Sequence, residues 1–414
     1  MDTDFAEEKL KSLQISSLSE EEEEEEDDEG RARHDDVDDV VSDEVSDEEE
    51  RIPMTLGFAE KPKNSWSLRR QYFPCKAGGS PAWLDPINLP SGRSSLCDFC
   101  CEPLQFLLQV YAPLPEESTF HRTLFVFICT SMSCLLRDQH EQWKQPPQIQ
   151  SRSVKVFRCQ LPRANPFYSS EAPVRDENQQ PLTAGAMLCD WCGTWKGDKI
   201  CSSCKRARYC SGKHQAAHWR SSSSSHKVLC RQFETSGKES ESAASNSLWP
   251  EYEITNEDES EFDEPMSDDN GPANSLVSRS RTEGSYGKLI NYFQGSRENR
   301  SWASFQERIS SAPDQVLRYS SSSQAKPIWP VSSGRPSRPD IPVCNHCGST
   351  RAFEFQVLPQ LLYFFHVKDD GEDSLDWATI AVYTCEGSCE GGASYKEEFA
   401  WVQLASQSIS QSHQ

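Results

Sequence analysis

The sequence predicts a mostly β protein with small α content (α+β), in which two related β-rich lobes flank a cysteine-rich segment. Three observations predict this class. The apolar runs, such as residues 106–111 and 124–129, have the length of strands and fall well short of the roughly 18–20 residues of a membrane span. One residue pattern occurs in both halves of the chain. Most of the 17 cysteines fall in three groups along the sequence.

Residues 1–50 form an acidic tail. They contain 24 acidic and 4 basic side chains, and residues 20–29 are all acidic. The whole chain of 414 residues has a net charge of −23, so the remainder is almost neutral. Because like charges repel and the tail has little to bury, we expect it to be disordered. It either keeps the protein soluble or attracts a basic partner.

Composition divides the remainder of the chain. We assign residues 51–175 to an N-terminal β lobe, residues 185–232 to the cysteine-rich segment and residues 285–405 to a C-terminal β lobe. Residues 233–284 are rich in serine and acids, which predicts a disordered linker.

Two local patterns refine this division. The stretch WPEYEIT at residues 249–255, inside the linker, has the composition of a short docked strand. In the C-terminal lobe, residues 289–293 and 305–309 have helical spacing, and Pro313 marks a break.

The two lobes repeat one pattern. A Pro-x-Trp motif ending at Trp83 precedes a Cys-x2-Cys pair that starts at Cys97, and one ending at Trp329 precedes a pair that starts at Cys344. In both lobes a Gln-Val pair follows nine residues after the second cysteine, and an apolar strand then leads into another cysteine pair. This agreement indicates a duplicated β unit, whose copies we expect to pack as a pseudo-symmetric pair.

The cysteine-rich segment has the pattern C-x2-C-x8-C-x2-C-x5-C-x3-H-x11-H-x3-C. Eight such ligands fill two tetrahedral zinc sites with no open position. The i,i+4 spacing of the last two cysteine–histidine pairs puts both members on one face of a helical turn. The predicted ligands are Cys189, Cys192, Cys201, Cys204, Cys210, His214, His226 and Cys230.

This spacing, with the motifs CDWC, CSSC, RYCSGKHQ and HKVLC, resembles the MYND zinc finger. The resemblance implies interleaved ligands, with Cys189, Cys192, Cys210 and His214 on one zinc and Cys201, Cys204, His226 and Cys230 on the other. His218 is an alternative ligand that we do not favour. MYND fingers bind proline-rich peptides, for which the candidate contacts are Trp195, Tyr209, Gln215 and Trp219. Packing around the zinc sites is the other interpretation, and the one we favour for Tyr209 and Trp219.

Each lobe also offers four thiols. A Cys-x2-Cys pair plus a second pair at the end of a strand is the arrangement of a zinc ribbon, which predicts one more zinc in each lobe. The alternative is that these cysteines are reduced and buried. His346 lies inside a pair and is expected to be a turn residue. The predicted ligands are Cys97, Cys100, Cys129, Cys134, Cys344, Cys347, Cys385 and Cys389, which leaves Cys75, Cys101 and Cys159 outside every set.

Longer segments resemble the programmed cell death protein 2 family. They are LGFAE (56–60), GGSPAWLDP (78–86), LLQVYAPLP (107–115), FHRTLFVF (120–127), LPRANPFY (161–168), QVLRY (315–319), EFQVLPQLL (354–362) and YTCEGSC (383–389). The resemblance implies a role in ribosome biogenesis as a dedicated chaperone of a basic small-subunit ribosomal protein. It also implies a link to programmed cell death and a location in cytoplasm and nucleus.

We therefore expect a non-enzymatic zinc-binding chaperone or adaptor. The alternative is a transcriptional or apoptosis-linked adaptor that binds proline-rich peptides. No nucleotide-binding, metalloprotease or hydrolase motif occurs, and four closed zinc sites would be structural. We expect no membrane association, because no apolar run is long enough to span a membrane. We expect no direct nucleic-acid binding either, because residues 205–208 form one short basic patch in a finger whose zinc sites would themselves be negative.

Overall fold

The computed structural model describes residues 52–144, 151–173, 180, 182, 185–221, 226–228, 230–231, 248–262, 297–367 and 373–404, with residues 297–300 by backbone alone. The acidic tail at 1–50 and the expected helical turn at 289–293 lie outside these residues. So does most of the predicted linker.

The described strands confirm the mostly β class, and ten of them close into one barrel. Their order around the barrel is β1-β8-β2-β3-β4-β5-β12-β11-β10-β9, with β9 pairing back onto β1. The ten strands are β1 (Thr55–Glu60), β2 (Lys76–Ala77), β3 (Gln105–Tyr111), β4 (His121–Ile128), β5 (Val154–Leu161), β8 (Tyr252–Asp258), β9 (Gln315–Tyr319), β10 (Arg351–Val357), β11 (Thr379–Cys385) and β12 (Tyr395–Gln403).

The duplicated units are β3–β5, the first repeat, and β10–β12, the second repeat. They meet where β5 pairs antiparallel with β12, and the six strands follow the order β3-β4-β5-β12-β11-β10. Equivalent strands of the two repeats therefore lie at equal distances on either side of this pairing. This is the order that a two-fold axis between β5 and β12 would produce. The repeats do not form two separate sheets, as the term lobe implied, because each completes the other's hydrogen bonding at this seam.

The strand registers show which chain ends share an end of the barrel. β5 ends and β12 begins at the same end, because Cys159 pairs with Tyr395. Following the antiparallel pairs around the sheet places the start of β1 at that end too, where Thr55 pairs with Tyr319. We call this end the mouth. The opposite end, where β4 ends and β5 begins, we call the base.

Alternation along the strands separates an interior from an outer surface. In β4, Leu124, Val126 and Ile128 belong to one large buried cluster that draws on all ten strands, which is the barrel interior. The intervening Phe125 and Phe127 pack outside it in a second, aromatic cluster. Continuous burial of both faces explains why the run reads as apolar without alternation.

A buried ion pair crosses the interior. The two terminal guanidinium nitrogens of Arg122 on β4, Nη1 and Nη2, donate to the carboxylate of Glu354 on β10 at 2.5 and 2.7 Å. The Thr384 hydroxyl donates to the same carboxylate. The two side chains are 2% and 8% exposed. Because β4 and β10 are not neighbours in the sheet, this pair ties opposite walls of the barrel together.

Strand β8 comes from the segment that composition assigned to the linker. It pairs with β1 and β2, in agreement with the docked strand expected at WPEYEIT. The linker interpretation is therefore wrong for this stretch, because Tyr252 and Ile254 are buried in the barrel interior.

The remaining elements are short. The finger contains the paired strands β6 (Lys199–Ile200) and β7 (Arg208–Tyr209). The α-helices whose bounds the structure gives are α1 (Met132–Gln142), α2 (Gly212–Arg220), α3 (Arg297–Ser310) and α4 (Gln360–Phe364). Helix α3 contains the helical spacing noted at 305–309 and ends before Pro313, as expected. Among the described helices, none combines the length and apolar character needed to cross a membrane.

We predict that Arg122→Met destabilises the barrel by about 3–5 kcal/mol, because it leaves the Glu354 carboxylate buried without its partner. The double variant Arg122→Met/Glu354→Met removes both charges and should recover most of that loss. Urea unfolding followed by circular dichroism measures both. Equal losses in the single and double variants would contradict the assigned role of the ion pair.

Candidate metal centres

The first donor group of the finger forms around the start of α2. Ser211 caps this helix by accepting a hydrogen bond from the His214 backbone N–H at 3.0 Å, which brings His214 back toward Cys210. The Cys210 sulfur lies 3.2 Å from His214 Nδ1, the Cys189 sulfur lies 3.7 Å from that nitrogen, and the Cys192 and Cys210 sulfurs are 3.9 Å apart. These four residues form one group of mutually close donors.

The second donor group of the finger joins the loop before β7 to the segment after α2. The Cys201 and Cys230 sulfurs are 3.9 Å apart, and the Cys204 sulfur lies 3.5 Å from His226 Nε2. Tyr209 is completely buried and shares a hydrogen bond of 3.1 Å with His218 Nδ1. His218 is thus held by a tyrosine and belongs to neither donor group.

A third group lies at the base of the barrel. Cys129 follows the last residue of β4, Cys134 is in the first turn of α1, and Cys97 and Cys100 come from a turn before β3. The Cys100 and Cys129 sulfurs are 3.6 Å apart, and the Cys129 backbone N–H donates to Ser153 at 2.8 Å.

A fourth group lies at the mouth. Cys385 is the last residue of β11, Cys389 lies in the loop that follows it, and Cys344 and Cys347 come from a turn before β10. The Cys344–Cys389 and Cys347–Cys385 sulfur distances are 3.8 and 3.5 Å. The third and fourth groups follow equivalent strands of the two repeats, and the two-fold arrangement puts them at opposite ends of the barrel.

The donor separations fit tetrahedral zinc. With Zn–S bonds of about 2.3 Å and Zn–N bonds of about 2.0–2.1 Å, a tetrahedron has S–S edges of about 3.8 Å and S–N edges of about 3.6 Å. The eight separations given above run from 3.2 to 3.9 Å, and all donor atoms of each group lie within 4.8 Å of one another. A disulfide needs sulfurs about 2.05 Å apart, and every described cysteine is free. The MYND finger and the cysteine groups are thus consistent with zinc binding.

The surroundings of two donors, His214 and Cys347, shift their pKa values. Burial lowers the pKa of His214, but hydrogen bonds to Cys189 and Cys192 outweigh it and raise that pKa to about 9. Hydrogen bonds with the side chain and backbone of Ser349 lower the pKa of Cys347 to about 6. Metal binding requires a neutral imidazole and thiolates, so filling the first finger group releases the His214 proton at neutral pH.

The finger packs against the outside of the barrel. Trp195 is 1% exposed, its ring lies 4.5 Å from that of Phe127, and its Nε1 donates to the Leu104 carbonyl at 2.7 Å. The Trp83 Nε1 in turn donates to the Thr194 carbonyl at 2.9 Å. Trp195 was wrongly included among the peptide-contacting residues, because the first repeat buries it.

The other singled-out residues fall outside the donor groups. Tyr209 is buried, whereas Trp219 is 41% exposed. His346 is exposed in a turn, as expected. Of the orphan thiols, Cys159 is buried and Cys75 is half-buried. Burial raises the pKa of both, that of Cys159 to about 12. Sequence reasoning also missed the cavity of about 650 Å³ at the mouth, whose rim includes Glu116, Glu117 and Glu390.

These features define a class of protein: a mostly β scaffold that carries a MYND zinc finger and further cysteine groups suited to zinc. Residues 53–175 match the family described as "Programmed cell death protein 2, N-terminal domain", residues 189–230 match "MYND finger" and residues 299–404 match "Programmed cell death protein 2, C-terminal putative domain". The chain belongs to the programmed cell death protein 2 family.

Its relatives span most of the chain. It is 39% identical to "Programmed cell death protein 2" of Bos taurus over 362 residues, covering 85% of this chain and 96% of the relative. It is also 39% identical to the Mus musculus protein of that name over 371 residues, with the same coverage. It is 23% identical over 381 residues to "Probable 20S rRNA accumulation protein 4" of Schizosaccharomyces pombe, covering 81% and 92%. These three names describe no catalytic activity. No solved structure matches the chain significantly.

We predict that Trp195→Ala lowers the free energy of unfolding by about 3–5 kcal/mol, because it opens a cavity between finger and barrel. Trp195→Phe keeps one aromatic ring in the contact but loses the N–H donor and part of the ring volume, so a smaller loss of about 1–3 kcal/mol is expected. Trp219→Ala is the matched control on the exposed side of the finger, with less than about 1 kcal/mol expected. Similar losses for Trp195→Ala and Trp219→Ala in urea unfolding would show that the finger does not depend on this contact.

Proposed function

We propose that the four donor groups hold four structural zinc ions, two in the finger and one in each repeat. The assignment is Cys189, Cys192, Cys210 and His214; Cys201, Cys204, His226 and Cys230; Cys97, Cys100, Cys129 and Cys134; and Cys344, Cys347, Cys385 and Cys389. Four protein donors complete a tetrahedron, so no coordination position is left for a substrate or a water. Bound zinc would fix loops that have little regular structure of their own.

Protein purified without chelator should therefore contain four zinc ions per chain by native mass spectrometry. Cys347→Ser removes a donor from the mouth group and should reduce the count to three. A count of two in the wild-type chain would retain the finger sites and rule out those in the repeats.

We propose further that the protein is a non-enzymatic chaperone or adaptor for a basic small-subunit ribosomal protein, acting in the cytoplasm and nucleus. The observation that carries this proposal is the placement of negative charge. Strand β1 begins at the mouth, so the acidic residues 1–50 precede the strand that enters the barrel at that end. The cavity there is lined by Glu116, Glu117 and Glu390 together with the cations Arg158 and Lys396, so the tail supplies most of the negative charge. The name of the Schizosaccharomyces pombe relative, with its reference to 20S rRNA, supports a ribosomal context.

The physical logic is charge complementarity on a rigid support. Ribosomal proteins are strongly basic, so an acidic partner screens their self-repulsion and accelerates their encounter. A closed barrel has no sheet edge of its own to pair with a partly folded client. Such a protein can hold a basic client without aggregating with it.

We predict that deleting residues 1–50 leaves the fold intact by circular dichroism and slows association with a basic small-subunit ribosomal protein at least about tenfold at low salt. The difference should vanish near 1 M salt, where the Debye length is about 3 Å. A chain in which the acids of residues 1–50 are replaced by Gln and Asn is the matched control for tail length, and it should behave like the deletion. Association rates in stopped flow that are equal with and without the tail at every salt concentration would refute the capture role.

A second function is favoured by one specific observation. The finger exposes apolar side chains, with Ile200 at 45%, Trp219 at 41% and Val228 at 57%. This is the composition of a surface for short proline-rich peptides, as in an adaptor of transcription or apoptosis. Affinity purification separates the two functions. A basic ribosomal protein lost on deletion of residues 1–50 supports the chaperone, and proline-rich partners lost in Trp219→Ala support the adaptor.

A further inference from the structure

The donor loop at the mouth belongs to the second repeat, yet side chains of the first repeat hold it in place. Arg158 on β5 donates from Nη1 to the Cys389 carbonyl at 3.4 Å and from Nη2 to the Cys389 sulfur at 3.5 Å. Gln160, two residues further along β5, donates to the Ser388 carbonyl at 3.1 Å. These contacts cross the seam between β5 and β12.

A buried carboxylate connects the same arginine to a second donor of the group. Glu398 on β12 accepts from Arg158 Nε at 2.6 Å through one oxygen, and through the other from the Cys385 backbone N–H at 3.1 Å and from Arg351 Nε at 2.9 Å. The side chains of Arg158 and Glu398 are 1% and 0% exposed. The position of Arg158 is therefore determined by the seam, and the positions of Cys385 and Cys389 follow from it.

Electrostatic attraction favours this arrangement of cations around the donor group. Four thiolates around one divalent ion carry a net charge of −2 in a partly buried site, which favours nearby cations. Arg158 supplies a permanent positive charge and a donor directed at one of the sulfurs. Lys396, 7% exposed, adds a second cation and donates to the Cys389 carbonyl at 2.9 Å.

We propose that Arg158 is a positioning residue for zinc at Cys344, Cys347, Cys385 and Cys389, so that the second repeat's site reaches full affinity only when the first repeat is paired with it. The inference rests on the zinc site proposed above for this group. The seam then has a role beyond stability, because the pairing of β5 with β12 and the retention of zinc at this group become thermodynamically coupled.

The test is zinc retention at single sites in the full chain. Wild-type and variant proteins are exposed to a graded chelator and pulse-labelled with iodoacetamide, and mass spectrometry reports the labelling of each cysteine. In Arg158→Gln, Cys385 and Cys389 should be labelled about 10–100-fold faster than in the wild type, the usual effect of losing a hydrogen bond to a metal ligand. Labelling of Cys97 and Cys189 should stay within twofold.

Arg122→Gln is the matched control, because it also removes a buried arginine from an ion pair inside the barrel but touches no donor of the group. It should leave the relative order of labelling unchanged. If Arg158→Gln does not fold, Gln160→Met is used in its place. This variant removes only the hydrogen bond to the Ser388 carbonyl and should still accelerate labelling of Cys389 selectively.

The proposal is overturned if the cysteines of Arg158→Gln, or of Gln160→Met in its place, are labelled in the same relative order as those of the wild type. It is also overturned if Arg122→Gln accelerates labelling of the mouth cysteines as much as Arg158→Gln does. Wild-type protein that carries zinc in the other groups but none at the mouth would instead refute the zinc assignment on which the proposal rests. The zinc count of the wild type therefore separates the two failures.

Discussion

The pairing of β5 with β12 is the constraint on which the structure depends. Neither repeat closes a sheet by itself, so each has an edge strand whose backbone N–H and C=O groups need a partner. Joining the two edges creates a common interior, sets the mouth and the base, and fixes the loops that carry the cysteine groups. Closure between β1 and β9 then leaves none of the ten barrel strands with an open edge.

Each repeat also makes hydrogen bonds that hold the cysteine-bearing segment of the other repeat. At the mouth, Arg158 and Gln160 of the first repeat hold the loop of the second. At the base, Gln142 of α1 exchanges two hydrogen bonds of 2.8 Å with the backbone of Val402 on β12, and Gln139 accepts from the Leu404 N–H. Since Cys134 lies on α1, the cysteine group of each repeat is held by hydrogen bonds from the last strand of the other repeat or the residue after it. This reciprocity joins the two repeats into one structural unit.

Sequence reasoning reached the local features of this molecule and missed the long-range ones. The donor sets were recognisable because residues such as Cys189 and Cys192, or Cys210 and His214, are close in the chain, and the structure brings every predicted set together. Nothing local marks that Tyr395 pairs with Cys159, so the repeats were expected to pack as a pseudo-symmetric pair, and their union in one sheet was not predicted. The same limit explains Trp195, whose burial depends on a distant strand, and Arg158, whose partner lies 240 residues away.

The late position of β12 has a consequence for biosynthesis. The edge of β5 that faces away from β4 stays unpaired until residues 395–398 of β12 have been made. Strand β1 lacks both neighbours until β8 and β9 have followed the finger. Contacts between such distant segments form slowly, and exposed strands aggregate while they wait. A nascent chain of this protein thus passes through a long interval in which unpaired strand edges are open to aggregation.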